Sequence, residues 1–151
     1  MSDIVNSKKR SQMMSGIRNK NTGPEILIRK NLHSRGFRYR LHGNKLPGKP
    51  DIILPRYRAV IFVNGCFWHG HECHLFKWPQ TRKTFWENKI SDNKLRDKKN
   101  ITALIKEDWR VAVVWECALR GKTRLELLDV ISTIEQWIMY EVDSERVIKG
   151  K

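Results

Sequence analysis

Apolar positions along this chain change period several times, and each change marks an element. Thr22 and Glu25 have capping-box spacing, Pro24 sits in the first turn and Gly36 supplies a stop, which predicts a helix over 23–35. Phe37, Tyr39 and Leu41 then alternate with Arg38, Arg40 and His42, a strand with one basic face. A Gly/Pro loop, GNKLPGKP, leads into a short strand at 51–54, and Pro55–Arg58 turns the chain into AVIFVN at 59–64, apolar enough for a buried central strand. Thr84 and Glu87 repeat the capping-box spacing and open a long helix reaching about residue 107. RVAVVW at 110–115 is a second buried strand. After a break at Gly121, Leu125, Leu128, Ile131, Ile134 and Ile138 follow helical spacing in a last helix. The predicted order, α-β-β-β-α-β-α, is a mixed sheet covered by helices, an α/β or α+β domain.

Length adds a bound: 151 residues make one domain, 1–151, at roughly 100–200 residues each, and a 40% hydrophobic content supports a real core. Charge changes the picture more. The net charge is +14, distributed as 12 Lys+Arg against 2 Asp+Glu in 1–50, 10 against 5 in 51–100 and 8 against 9 in 101–151. The excess in the first two-thirds has the footprint of a phosphate-binding face, and residues 1–21, basic and polar with Met13, Met14 and Ile17 as their main apolar content, read as an arm with a short helix. The N-terminus has no signal-like apolar run, and stretches such as 59–63 are far too short for a bilayer. Three cysteines, an odd number, favour a reducing cytoplasm over a disulfide framework.

The densest chemistry is GCFWHGHEC at 65–73, with Cys117 much further along. Sulfur and imidazole packed this closely suit a tetrahedral zinc site, and Cys66, His71, Cys73 and Cys117 supply four donors while leaving His69 and His74 free. The alternative is three unrelated reduced cysteines. Phe67 and Trp68 are either core residues or a wedge for nucleic acid. Asp51 follows Pro50 at the mouth of a strand, where it is a turn residue or a functional one. Asp97 shares a helix face with Ile90, Ile101 and Leu104, and a carboxylate on an apolar stripe needs a partner; a structural salt bridge and a catalytic role both fit. Asp51, Asp97 and a free His69 together offer metal-binding carboxylates and a general base.

Over nearly its whole length the chain resembles the Vsr family, the very short patch repair endonucleases of bacteria. The strings that carry the resemblance are RSQMM at 10–14, LPGKPDIILPRYRAVIF at 46–62, GCFWHGH at 65–71, TR at 81–82 before FWENKI at 85–90, RD at 96–97 and WRVAVVWECALRG at 109–121. The resemblance implies a restriction-endonuclease-like core with helices on both faces and a structural zinc loop. It implies a strand-specific nick 5′ to the thymine of a T:G mismatch, the lesion left when 5-methylcytosine deaminates. It places the metal aspartate on Asp51, the catalytic histidine on His69 and its hydrogen-bonding aspartate on Asp97. Zinc ligands fall on Cys66, His71, Cys73 and Cys117, and intercalating residues on Phe67, Trp68 and Met14. Related nucleases carry Glu-x-Lys on the strand after Pro-Asp, whereas this strand ends Phe62-Val63-Asn64. Where the best-known relatives have a second histidine this chain has Asn64, which hydrogen-bonds but takes no proton at neutral pH.

The expected protein is therefore a Mg²⁺-dependent mismatch endonuclease, with Mg²⁺ held by Asp51, a backbone carbonyl near Val63 and DNA phosphates, and with structural Zn²⁺. Its partners would be T:G-mismatched duplex DNA, mismatch-repair proteins and a repair DNA polymerase, with a functional link to a cytosine-C5 methyltransferase. It would act as a monomer at the bacterial nucleoid. The rivals are a non-enzymatic zinc-stapled DNA-binding protein, which leaves Asp97 unexplained, and a double-strand endonuclease of the same fold.

Overall fold

The computed structural model describes residues 22–43 and 45–151; the basic arm at 1–21, with Met14, lies outside the described residues. Helix α1 spans Gly23–Ser34 and is started by the Thr22 side chain, which accepts from the Glu25 N–H at 3.4 Å. Only half of the expected capping box forms. Glu25 turns inward instead, 1% exposed, to the Arg29 guanidinium at 2.8 Å and His42 Nε2 at 2.9 Å. The helix ends in a Schellman turn: Gly36, at φ +94°, donates to the His33 carbonyl and Phe37 to that of Leu32.

The sheet has five strands in chain order: β1 (Arg40–Leu41), β2 (Ile52–Leu54), β3 (Ala59–Asn64), β4 (Arg110–Trp115) and β5 (Glu145–Ile148). β2 runs antiparallel to both β1 and β3, while β3, β4 and β5 are parallel. Two expectations change here. The predicted strand over 37–42 forms a ladder with β2 only through Arg40 and Leu41. β5 was not expected, since it is a short edge strand in which only Ile148 is fully buried.

Parallel strands need crossovers, and helices α2 (Lys83–Lys106) and α3 (Leu127–Tyr140) supply them. The period-2 alternation of the strands sorts the core onto two faces. Ile52, Leu54, Ile61, Ala112 and Val114 pack with Ile28 and Leu32 of α1 and with Val130, Ile131, Ile134, Trp137 and Ile138 of α3. Ile53, Val60, Val111 and Val113 meet Leu104 and Trp109 at the end of α2. Leu128, expected in the apolar stripe of α3, is 63% exposed; Val130 and Trp137 take its place. Nor does α2 begin in a capping box. Its N-cap is Arg82, left-handed and without a side-chain cap.

Candidate active site

The parallel pair β3 and β4 ends in register at Asn64 opposite Trp115, and two residues beyond each lies a cysteine, Cys66 and Cys117. The 65–74 loop bends back so that His71 and Cys73 join them, with all four donor atoms within 4.8 Å of one another. His71 Nδ1 is 3.5 Å from Cys66 Sγ and 3.6 Å from Cys117 Sγ. A tetrahedral ion with bonds of roughly 2.3 Å to sulfur and 2.0–2.1 Å to nitrogen sets that separation at about 3.6 Å. Burial pushes the Cys66 thiol up, helped by the two neighbouring cysteines, and pushes the His71 imidazole down. Cys66 thus resists becoming a thiolate by itself, and a divalent cation among the four donors would remove that resistance. The donors are held from outside as well. The Cys66 N–H donates to Glu116 Oε1 at 3.1 Å, the Gly150 N–H points to Cys117 Sγ at 3.3 Å, and the His71 ring stacks on Trp115 at 4.2 Å. His74 is outside the cluster: it takes the Lys122 N–H at 3.3 Å and meets Thr123 Oγ1 at the same distance, bracing the chain after Cys117.

His69 also turns away from the four donors, toward α2, where its Nδ1 lies 2.6 Å from Asp97 Oδ2. One turn earlier on the same helix face, Asn93 Nδ2 donates to the Trp68 carbonyl at 2.8 Å. Two consecutive loop residues are thus gripped by two residues of one helix. Gly70 permits the approach: at φ +64°, it has Ile90 Cγ2 only 2.6 Å from where a Cβ would sit.

Asp51 lies just before β2, and its Oδ2 accepts the Val63 N–H at 2.7 Å, beyond the last β2–β3 pair at Ile52–Ile61. Burial lifts its carboxyl to about 6 against the opposing Val63 N–H; Glu25 adds to the rise, while His42 and His69 pull the other way. Asp51, Glu25, His42 and His69 therefore share one electrostatic neighbourhood. Asn64 is 8% exposed on the sheet face that carries α2. Sequence reasoning missed Glu25, because its capping-box position accounted for it locally.

Phe67 and Trp68 lie edge to face at 5.1 Å, both half-buried. They are not core residues. Phe67 stacks on Phe76 at 5.7 Å and meets Trp86 at 5.3 Å, and Trp86 also contacts Trp68 at 5.8 Å. Phe85 and Trp78 extend this aromatic group toward solvent, at 44% and 53% exposure. The extension also escaped sequence reasoning, although FKW at 76–78 and FW at 85–86 were its visible signal.

A family model described as DNA mismatch endonuclease Vsr matches residues 2–75. The DNA mismatch endonuclease Vsr of Escherichia coli is 41% identical over 147 residues, covering 97% of this chain and 94% of that protein. A type II nicking enzyme of Xanthomonas oryzae, V.XorIIP, is 48% identical over 126 residues, 83% of this chain and 93% of its own length. Another, V.NmeAIP of Neisseria meningitidis, is 48% identical over 122 residues, 81% and 87% of the two chains.

Proposed function

The chain belongs to the Vsr family of DNA mismatch endonucleases, and on that premise we propose that it nicks one strand of T:G-mismatched DNA, 5′ to the thymine, at lesions left by deamination of 5-methylcytosine. The observation that carries the chemistry is the His69–Asp97 contact of 2.6 Å beside the sheltered Asp51 carboxyl. Asp97 holds the Nδ1–H of His69 and leaves Nε2 free to take a proton from the attacking water or to position it. Asn64 contributes a hydrogen bond at most, so His69 is the base.

Asp51 suits a hard divalent cation. One strand residue directs its N–H and its C=O to the same side. Since Asp51 receives the Val63 N–H, the Val63 carbonyl faces the same gap past the end of β2. Asp51 and Val63 would thus hold Mg²⁺ together with DNA phosphate oxygens. When bound, the ion offsets the charge that develops on the phosphate in the transition state. The Cys66, His71, Cys73 and Cys117 cluster would hold Zn²⁺ with no ligand position open to substrate, which makes that ion structural.

Recognition would rest on Phe67 and Trp68 entering the base stack at the weak pair, with Met14 of the arm from the opposite groove. The whole chain, 1–151, would act as one domain and as a monomer on duplex DNA in the bacterial cytoplasm. Mismatch-repair proteins, a repair polymerase and a cytosine-C5 methyltransferase would be its functional neighbours. Among the described residues no helix is long and apolar enough to cross a membrane. Incubating T:G, paired C:G and other mismatched duplexes with Mg²⁺ or with EDTA tests the reading. A single Mg²⁺-dependent nick on the T strand is expected; a double cut, or cutting independent of the mismatch, overturns it.

A further inference from the structure

On the flank of α2 next to the face that carries Asn93 and Asp97, a groove of about 580 Å³ opens to solvent, with Gly70, the residue after His69, in its lining. Glu87, Lys94 and Lys98 follow one another along this flank at helical spacing. Phe76 and Trp78 form the facing wall together with Glu72. Phe76 stacks on Phe67 in one direction and meets Trp78 edge-on at 4.9 Å in the other. One aromatic group therefore runs from the reaction loop into the groove. The fold buries Trp137 completely, yet leaves Trp78 at 53% and the groove-lining Leu95 at 58% exposure.

We propose that this groove binds unpaired DNA, the one or two nucleotides of the cut strand nearest the nick; the inference rests on the reading of the chain as a nicking endonuclease. The volume is that of a small-ligand pocket, enough to admit a nucleotide. An aromatic platform beside lysines is what single strands bind to: the base stacks and the cations follow the phosphates. Lys94 and Lys98, one turn apart, supply the phosphate contacts. Glu72 and Glu87 repel phosphate and accept from exocyclic amines, so the bases face them, and cytosine or adenine is favoured over thymine. Gly70 lines the groove one residue after His69, so the two sites are neighbours along the same loop.

The test uses the full-length protein and a T:G duplex already nicked at the mismatch, with a short oligo-dC flap on one or the other side of the nick or with none. A flap on one side is expected to tighten binding. Trp78→Ala should remove that gain, roughly 5- to 100-fold, while Trp78→Phe keeps most of it and the uncut T:G duplex is still nicked at the normal rate. Lys94→Gln combined with Lys98→Gln should flatten the salt dependence of the gain, and oligo-dT flaps should bind less tightly than oligo-dC. No gain from either flap, or an equal loss on flapped and unflapped duplexes in Trp78→Ala, overturns the proposal. Normal T:G nicking with no flap effect sinks the groove alone; a Trp78-dependent flap effect without T:G selectivity supports the groove and sinks the nicking reading alone.

Discussion

His69 Nδ1 and Asp97 Oδ2, 28 residues apart in sequence, stand 2.6 Å from each other across the join between the 65–74 loop and α2. The contact fixes which ring nitrogen faces the helix and therefore which one faces substrate. His69→Ala should lower the nicking rate by about 10²–10⁴ while mismatch binding is kept. Asp97→Ala should cost less than His69→Ala, and Asn64→Ala less again. Single-turnover rates at saturating enzyme measure this; full activity in His69→Ala would remove the mechanism.

Gly70→Ala probes the same contact from a distance. The added Cβ would meet Ile90 Cγ2 at 2.6 Å in a backbone conformation that side chains rarely adopt. The loop must then move off α2 and carry His69 from Asp97. The expected outcome is a nicking rate at least tenfold lower with bound metal unchanged. An unaltered rate would show that the grip of α2 on the loop is unimportant.

Asp51 makes stability depend on pH in a defined direction. Its carboxyl holds a proton up to about 6 in the folded chain against an ordinary 3.8. The folded state is the tighter proton binder, so the group's contribution is fully present below about 3.8 and is lost as pH rises through about 6. Asp51→Asn, which still accepts the Val63 N–H, should abolish nicking and yet stabilise the metal-free protein at pH 8 by up to roughly 3 kcal/mol. The gain should vanish in acid, and added Mg²⁺ should raise the melting temperature of the wild type alone. Equal melting curves at both pH values would contradict the burial of this charge.

The four-donor cluster predicts one zinc per chain in freshly purified, reduced protein. Structural zinc sites of this kind are worth roughly 10–16 kcal/mol of apparent binding energy, so Cys73→Ser or strong chelation should loosen the loop and lower the melting temperature. Metal analysis finding no zinc would refute the site.

Trp68 separates wedge from packing. Trp68→Ala should narrow the affinity gap between T:G and fully paired duplexes with little change in salt slope, whereas neutralising the lysines and arginines of residues 8–20 should weaken both duplexes together and flatten the slope. Equal weakening of both duplexes in Trp68→Ala would assign the indole to the aromatic group around Trp86 and nothing more.

Much of the frame is legible in the sequence: β3 and β4 are marked by uninterrupted apolar runs, and the long helix is signalled by the Thr84–Glu87 spacing even though those residues do not cap it. The four metal-type donors were visible as residue types. Their convergence depends on the parallel pairing of β3 with β4, which no local pattern encodes. Other features lie beyond local reading for stated reasons. β5 exposes Glu145 and Val147 and buries only Ile148, so it resembles a tail. Glu25 satisfies a capping pattern and then serves His42 and Arg29 instead. Arg110, an ordinary strand-opening basic residue in sequence, donates to the carbonyls of Trp137, Ile138 and Glu141 and so closes the far end of α3.

Cys66 and Cys117 each stand two residues past the last paired positions of the two central strands, and that placement has a mechanical side. Prying a base pair apart pushes back on whatever does the prying. A loop tethered at one end would bend under that reaction and spend the work in its own deformation. Here an ion tied to both strand ends would pass the load through the Asn64–Trp115 rung into the middle of the sheet, where backbone ladders take it along their length. The tip then stays stiff while the duplex yields, and only the DNA is left to distort.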